Sequence, residues 1–231
     1  MELSKRLQMI AQMVSEGNRL ADIGTDHGYI PIYLLQNGKI PSAIAMDVGK
    51  GPLKRAQDHI QAYCFEDKAV CRLSNGFEQY ERGEADTAVI AGMGGDLMTK
   101  ILDNGRSKLP DELVLQPQSE WYKVRRFLVD ACYEIIQEKM VLEDGKYYVA
   151  IKAQKGEKKV PLTEPEQLYG PVLLRRKDPL LKEYLQNGFH KMNRIYENLG
   201  KVHTESADQR KKELEIEIKQ IKGAYAYYDK S

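Results

Sequence analysis

Along the first two thirds of the chain, short apolar runs alternate with stretches in which apolar residues recur every three or four positions. The runs are Arg19 to Ile23, Ala43 to Asp47, Ala69 to Leu73, Thr87 to Ala91 and Leu113 to Leu115. The stretches between them, Tyr29 to Gln36, Gly51 to Ala62, Gly95 to Asn104 and Tyr122 to Ala131, predict helices. Buried strands alternating with helical patterns predict an α/β fold whose parallel sheet is covered on both faces. The pattern then changes. Tyr133 to Leu142 and Lys146 to Gln154 flank Glu143-Asp144-Gly145, and Asp-Gly between two strand-like runs predicts an antiparallel hairpin.

After Gln154 the apolar period stops in the charged stretch Lys155-Gly156-Glu157-Lys158-Lys159, and Pro161 and Pro165 punctuate the next few residues. A domain boundary is expected there, with residues 1–155 forming the first domain and 161–231 a second. In the second, Leu181, Leu185, Phe189, Met192, Ile195 and Leu199 recur at helical spacing, as do Leu214, Ile218, Ile221, Tyr225 and Tyr228. Two helices zipped along these stripes, with a turn at Gly200 and His203 to Asp208, make an antiparallel, coiled-coil-like hairpin.

Composition narrows the class without deciding it. With 231 residues, 42% hydrophobic and 30% charged, the chain has the make-up of a folded soluble protein with one full domain and a modest appendage. Cys64, Cys71 and Cys132 show neither a C-x-x-C pair nor histidines at metal spacing, so no metal site is expected and reduced thiols are. No apolar run is long enough to span a membrane, and Met1 to Val14 lacks a signal-peptide core, so a cytoplasmic protein is expected. The net charge of +1 divides into roughly −2 through Lys155 and roughly +3 beyond it, a weak pointer to RNA in the second domain.

The chemistry concentrates in Asp22-Ile23-Gly24-Thr25-Asp26-His27-Gly28-Tyr29, where a strand runs into a glycine-spaced turn and then a helix. Gly24 and Gly28 let a ligand approach the backbone, as such turns do at the carboxyl ends of strands in open α/β sheets. The spacing is not G-x-G-x-x-G, and Asp26 would repel a pyrophosphate seated on the helix N-terminus. A ligand carrying ammonium and sulfonium groups suits the loop better. Asp47, about twenty residues on at the end of the second strand, is placed to accept the ribose hydroxyls of an adenosine. Asn75 and Phe77, after the third strand, are candidates to read and cover the adenine. His27 reads as a turn residue.

The loops Asp22 to Pro31, Asp47 with Gly51-Pro52-Leu53, Ser74-Asn75-Gly76, Ala91-Gly92-Met93-Gly94-Gly95 and Leu115-Gln116-Pro117-Gln118 together resemble those of bacterial tRNA (adenine-22-N1)-methyltransferases. The resemblance spans the whole α/β part. It implies a Rossmann-like class I methyltransferase domain followed by a helical, coiled-coil-like domain that assists tRNA binding. It also implies S-adenosylmethionine as methyl donor and tRNA as substrate, with no stable protein partner expected. On it, Asp22, Gly24, Gly28, Asp47, Asn75, Gly76 and Gly92 are expected at the donor site. Met93, Gly94, Trp121, Tyr122, Arg125 and Arg126 are expected to meet the RNA.

Methylases of exocyclic adenine amines commonly carry an Asn/Asp-Pro-Pro-aromatic loop after the fourth strand; Gly92-Met93-Gly94-Gly95 stands there instead, which favours a ring nitrogen as target. Those glycines serve either tight packing or room for a flipped base. N1 offers its lone pair at neutral pH, so no general base is needed, and a carboxylate near the ring would stabilise the cation that forms. Asp26 is the candidate for that catalytic role; holding the donor's ammonium group is its alternative. Trp121 is either a stacking partner for an extruded base or an anchor. The rival readings are a methyltransferase of another substrate, a non-catalytic RNA- or protein-binding module, and a nicotinamide dehydrogenase, the last disfavoured by the loop spacing.

Overall fold

The computed structural model describes residues 1–200 and 204–229. The chain divides into two compact units, Met1–Pro161 and Leu162–Ser231.

The first unit is a seven-stranded sheet with helices. In chain order its elements are α1 (Lys5–Met13), β1 (Leu20–Ile23), α2 (Tyr29–Gln36), β2 (Ala43–Asp47), α3 (Lys50–Ala62), β3 (Ala69–Leu73), β4 (Thr87–Met93), α4 (Gly95–Asn104), β5 (Glu112–Pro117), α5 (Trp121–Asp130), β6 (Tyr133–Glu143) and β7 (Lys146–Lys155). The order across the sheet is β3-β2-β1-β4-β5-β7-β6. The first five strands are parallel, and β7 inserts antiparallel between β5 and β6. The expected hairpin is therefore present, with its second strand rather than its first paired to the parallel sheet. Every residue of β1 is buried, which is why that strand reads as an uninterrupted apolar run around Asp22.

Strand order reverses between β1 and β4, so the chain leaves these neighbours toward opposite edges of the sheet. Such a switch point opens a crevice beyond the strands' carboxyl ends. The β1–α2, β2–α3 and β4–α4 loops all emerge there.

One helix of this unit has no counterpart in the sequence expectations. In α1, the Ser4 hydroxyl caps the start by accepting the Leu7 N–H at 3.3 Å, and Met9, Ile10, Ala11 and Met13 are buried. Its exit is tied to the sheet by Glu112, which accepts the Ser15 N–H at 2.9 Å and pairs with Lys152 at 2.9 Å. That knot fixes α1 across β5, β6 and β7, with its first turn toward the crevice loops.

The second unit holds α6 (Glu164–Tyr169), α7 (Pro171–Arg175), α8 (Pro179–Leu199) and α9 (Glu205–Asp229). The two long helices pack together along the expected stripes. In α9, Ala207, Leu214 and Ile221 are buried at heptad spacing. Part of the expected turn, residues 201–203, lies outside the described residues. The two short helices are additions to the sequence expectations. Pro165, which reads as a break in the sequence, and Pro171 both stand in first turns, where a missing N–H costs nothing. Thr163 and Glu166 form a capping box at the first of these helices.

Candidate active site

The site begins at the end of β1. Asp22 is 4% exposed, and its carboxylate accepts the Thr25 hydroxyl at 2.6 Å. Burial pushes its pKa up from 3.8 to about 7; the Thr25 hydrogen bond opposes the rise and the nearby Asp47 charge adds to it. The chain then turns through Gly24, with φ +78°, whose N–H donates to the Met46 carbonyl at 2.8 Å. That left-handed φ is what favours glycine there; a Cβ would also meet the terminal methyl of Met93, the flexible end of a side chain arriving from β4. Gly28 starts α2 from a left-handed conformation.

Asp47, at the tip of β2, organises the neighbouring backbone. Its two carboxylate oxygens accept the Gly49 N–H at 2.8 Å and the Asp26 N–H at 3.3 Å. Asp26 is itself left-handed, at φ 49°. Its side chain is 60% exposed, pairs with Arg55 at 2.8 Å and stands 3.6 Å from His27. The His27 ring stacks on Tyr29 at 5.1 Å, and His59 contacts the His27 carbonyl at 2.9 Å. His27 is thus part of a packed aromatic turn, as its position in the loop suggests.

The opposite wall comes from β4 and β5. The register between them slips at Ala91 to Met93, where Gly92 takes φ +78°. Gln116, fully buried on β5, holds this irregularity: its side-chain oxygen accepts the Gly92 N–H at 3.2 Å and an Arg6 N–H at 2.9 Å. Gly95 lets the β4 and β5 loops touch, since a Cβ there would lie 2.7 Å from the Ser119 and Glu120 carbonyls. Of the two readings of Gly92 to Gly95, tight packing describes Gly95, whereas a Cβ at Gly92 would meet Arg6 and Gln118 only at ordinary contact distance, 3.7 and 3.9 Å.

These elements enclose a cleft of about 380 Å³, a size suited to a small ligand. Asp22, Gly24, Asp26, Asp47, Gly92 and Met93 all line it, so loops far apart in sequence converge as expected. Arg6 and Leu7 of α1, Thr25, Tyr29 and Gln118 line it too. The residues fit a methyl donor with positive charge: three carboxylates surround the cleft, and the most buried of them, Asp22, is held by the Thr25 hydroxyl and by no cation among the described residues.

Several expected residues lie elsewhere. Arg125 is fully buried and pairs at 2.8 Å with the equally buried Glu138 of β6, so it is no phosphate contact but part of the packing under α5. Phe77 is likewise buried, against Tyr80 and Gly105, outside the cleft lining. Gly76 serves packing, since a Cβ there would lie 2.8 Å from Ile101. Asn75 is exposed beside the Asp47 loop, its amide donating to Glu78 at 2.8 Å. Gly94 caps α4 at the cleft's edge, and Trp121 begins α5 outside the cleft lining. Tyr122 and Arg126 line a separate groove between α4 and α5, with Lys100, Arg106 and Lys123. Sequence reasoning misses Arg6 and finds Gln116 only as part of a motif; the signal for the first is the helix cap at Ser4.

A family model described as TrmK: tRNA (adenine(22)-N(1))-methyltransferase matches residues 20–223. The tRNA (adenine(22)-N(1))-methyltransferase of Bacillus subtilis (strain 168) is 34% identical over 230 residues, covering 96% of both chains. Among solved structures, Sp1610 of Streptococcus pneumoniae in complex with S-adenosyl-L-methionine matches with a TM-score of 0.85 at 31% identity, over 96% of this chain and 99% of that one. TrmK of M. capricolum in complex with S-adenosyl-homocysteine also matches with a TM-score of 0.85, at 28% identity, over 97% and 98%. The chain belongs to the TrmK family of tRNA (adenine(22)-N(1))-methyltransferases.

Proposed function

We infer that the protein transfers the methyl group of S-adenosylmethionine to N1 of adenine 22 in tRNA. The observation that carries this reading is the convergence of Asp22, Asp26 and Asp47 from the ends of two adjacent strands on one cleft whose far wall is the open Gly92 turn. When bound, S-adenosylmethionine supplies a methyl on a positively charged sulfur, which the N1 lone pair displaces in line, the C–S electrons staying on sulfur and the positive charge passing to the adenine.

The residues of the cleft divide that work. Asp47 accepts the ribose hydroxyls, and the ionised Asp22 offsets the donor's positive charge in a site partly closed to water. Gly24 and Gly92 bring backbone to both walls of the cleft, and Met93 covers the glycine turn as an apolar contact for the base. Asp26, more exposed and at the cleft mouth, stabilises the adeninium as it forms. No residue has to remove a proton, because N1 carries none at neutral pH. Adenine N1 lies on the pairing edge, so within a stem the nucleotide must be extruded, at a cost of roughly a few kcal/mol. Tyr122 and Arg126, on the separate groove between α4 and α5, contact the RNA away from the reacting base.

The first unit binds the donor and the second assists tRNA binding, in keeping with the basic excess beyond Lys155. The protein works in the cytoplasm, where its tRNA substrate is found. Mass spectrometry of nucleosides from unmodified tRNA, incubated with the protein and S-adenosylmethionine, tests the reaction: 1-methyladenosine is expected, and N6-methyladenosine or no product would refute it.

A further inference from the structure

The carboxylate at the cleft mouth is already paired. Oδ1 of Asp26 accepts from the Arg55 guanidinium at 2.8 Å. A cation that close cancels most of the carboxylate's field at the distance of an adenine, and its own charge repels the positive charge that methylation places on the ring. Asp26 can therefore act on the adeninium only if Arg55 is drawn away when the RNA arrives.

The two partners are not equally free to move. Asp26 is held in its loop: its backbone is left-handed at φ 49°, and its N–H donates to Asp47 at 3.3 Å. The His27 ring, 3.6 Å from the same oxygen, is fixed by stacking on Tyr29 at 5.1 Å and on His59 at 5.5 Å. Arg55 instead reaches from the second turn of α3 on a side chain that is 47% exposed, and among the described residues Asp26 is its one ion-pair and hydrogen-bond partner. An exposed pair of this kind is weak, so exchanging it for another anion costs little. The anion that tRNA brings is phosphate, which the guanidinium fork matches. The start of α3 suits the same occupant. Its first turn carries no acidic residue, and the exposed Lys50 that opens it has no partner among the described residues.

We propose that Arg55 exchanges Asp26 for a phosphate of the bound tRNA, so that substrate binding itself frees the carboxylate for the adenine; the proposal rests on the reading of Asp26 as the group that stabilises the adeninium. The pair keeps Asp26 compensated while no RNA is present, and the negative charge is released when a phosphate is seated beside the cleft.

Three measurements on the full chain test it: tRNA affinity across a salt series, single-turnover methylation at saturating tRNA and donor, and calorimetry with S-adenosylmethionine alone. Arg55→Gln is expected to weaken tRNA binding by roughly three- to tenfold and to lower the logarithmic salt slope by about 0.7 to 0.9, the share of one phosphate. The loss should fall on tRNA affinity, with little of it on the single-turnover rate, and Arg55→Lys should keep the slope and restore part of the affinity. An unchanged salt slope in Arg55→Gln would overturn the exchange. So would a loss of single-turnover rate as large as that of Asp26→Asn, which would make Arg55 a fixed partner of the carboxylate. Weakened donor binding in Arg55→Gln would overturn it too, by placing the guanidinium at the donor. In all three cases Asp26→Asn is slow. If Asp26→Asn instead methylated at the wild-type rate, the reading of Asp26 would itself fail and take the exchange with it, a distinct outcome.

Discussion

At the scale of single residues, the cleft is built around carboxylates in unequal environments. Asp22 is desolvated with one hydroxyl partner, whereas Asp26 is more than half exposed and paired with Arg55. Because burial lifts the Asp22 pKa to about 7, the native state binds more protons than the unfolded state between its ordinary value of 3.8 and about 7. Its contribution to stability is therefore present at low pH and lost as pH rises through that window. Asp22→Asn, which preserves an acceptor for Thr25, should stabilise the ligand-free protein by roughly 1 to 4 kcal/mol at pH 8 and by little at pH 4. Urea denaturation across pH checks this, and parallel profiles for the two proteins would contradict it. Donor affinity has the opposite sign: it should rise through about pH 7 in the wild type and lose that dependence in the variant. Asp26→Asn should slow single-turnover methylation substantially while donor and tRNA affinities change little. Equal losses in rate and affinity would instead assign Asp26 to binding. A third residue shows where charge alone misleads. Arg125 and Arg126 are adjacent and chemically identical in sequence, yet one is buried against Glu138 and the other lines the α4–α5 groove. Arg125→Met should cost about 3 to 5 kcal/mol in urea denaturation by removing the cation paired with the buried Glu138, and adding Glu138→Leu should recover much of it. A loss of less than about 1 kcal/mol would mean that the pair is not held dry.

At the scale of elements, the strands and crossover helices were legible because burial on both faces leaves a periodic record. The predicted β2, β3, α2 and α4 coincide with the observed bounds, and β1 begins one residue later than expected. What escaped had weaker local signals. In α1, the buried Met9, Ile10, Ala11 and Met13 spread over about 200° of a nine-residue helix, too wide and too short for a clear period, and the cap at Ser4 was the cue. In α6, Pro165 reads as a break, though the first turn is where a helix accepts a proline, and α7 uses Pro171 in the same way. The donor loops were readable as motifs because glycine and aspartate spacing survives without the fold. Residues that act through long-range pairing were not: Arg6 meets Gln116 across 110 positions, and Arg125 meets Glu138 only because α5 lies against β6. Gly76 and Phe77, singled out beside Asn75 by their place after the third strand, carry packing constraints that the motif does not show, Gly76 against Ile101 and Phe77 in the core.

At the scale of the whole molecule, all lining residues of the cleft belong to the unit Met1–Pro161, and α8 and α9 build their own core from Leu181, Leu185, Leu214 and Ile221. A chain ending at Pro161 should therefore keep donor affinity nearly unchanged while tRNA affinity, compared at one salt concentration, falls. Retained tRNA affinity would assign the helical unit to another task. The central claim is that this cleft methylates N1 at one nucleotide of tRNA. Reverse transcription across a tRNA transcript treated with the protein and S-adenosylmethionine reads that claim directly, because a methyl on N1 blocks base pairing and halts the copy. The account predicts a halt at adenine 22 that requires the donor and disappears when that adenine is replaced by guanine; a halt at another position, or one that persists after the replacement, would contradict it.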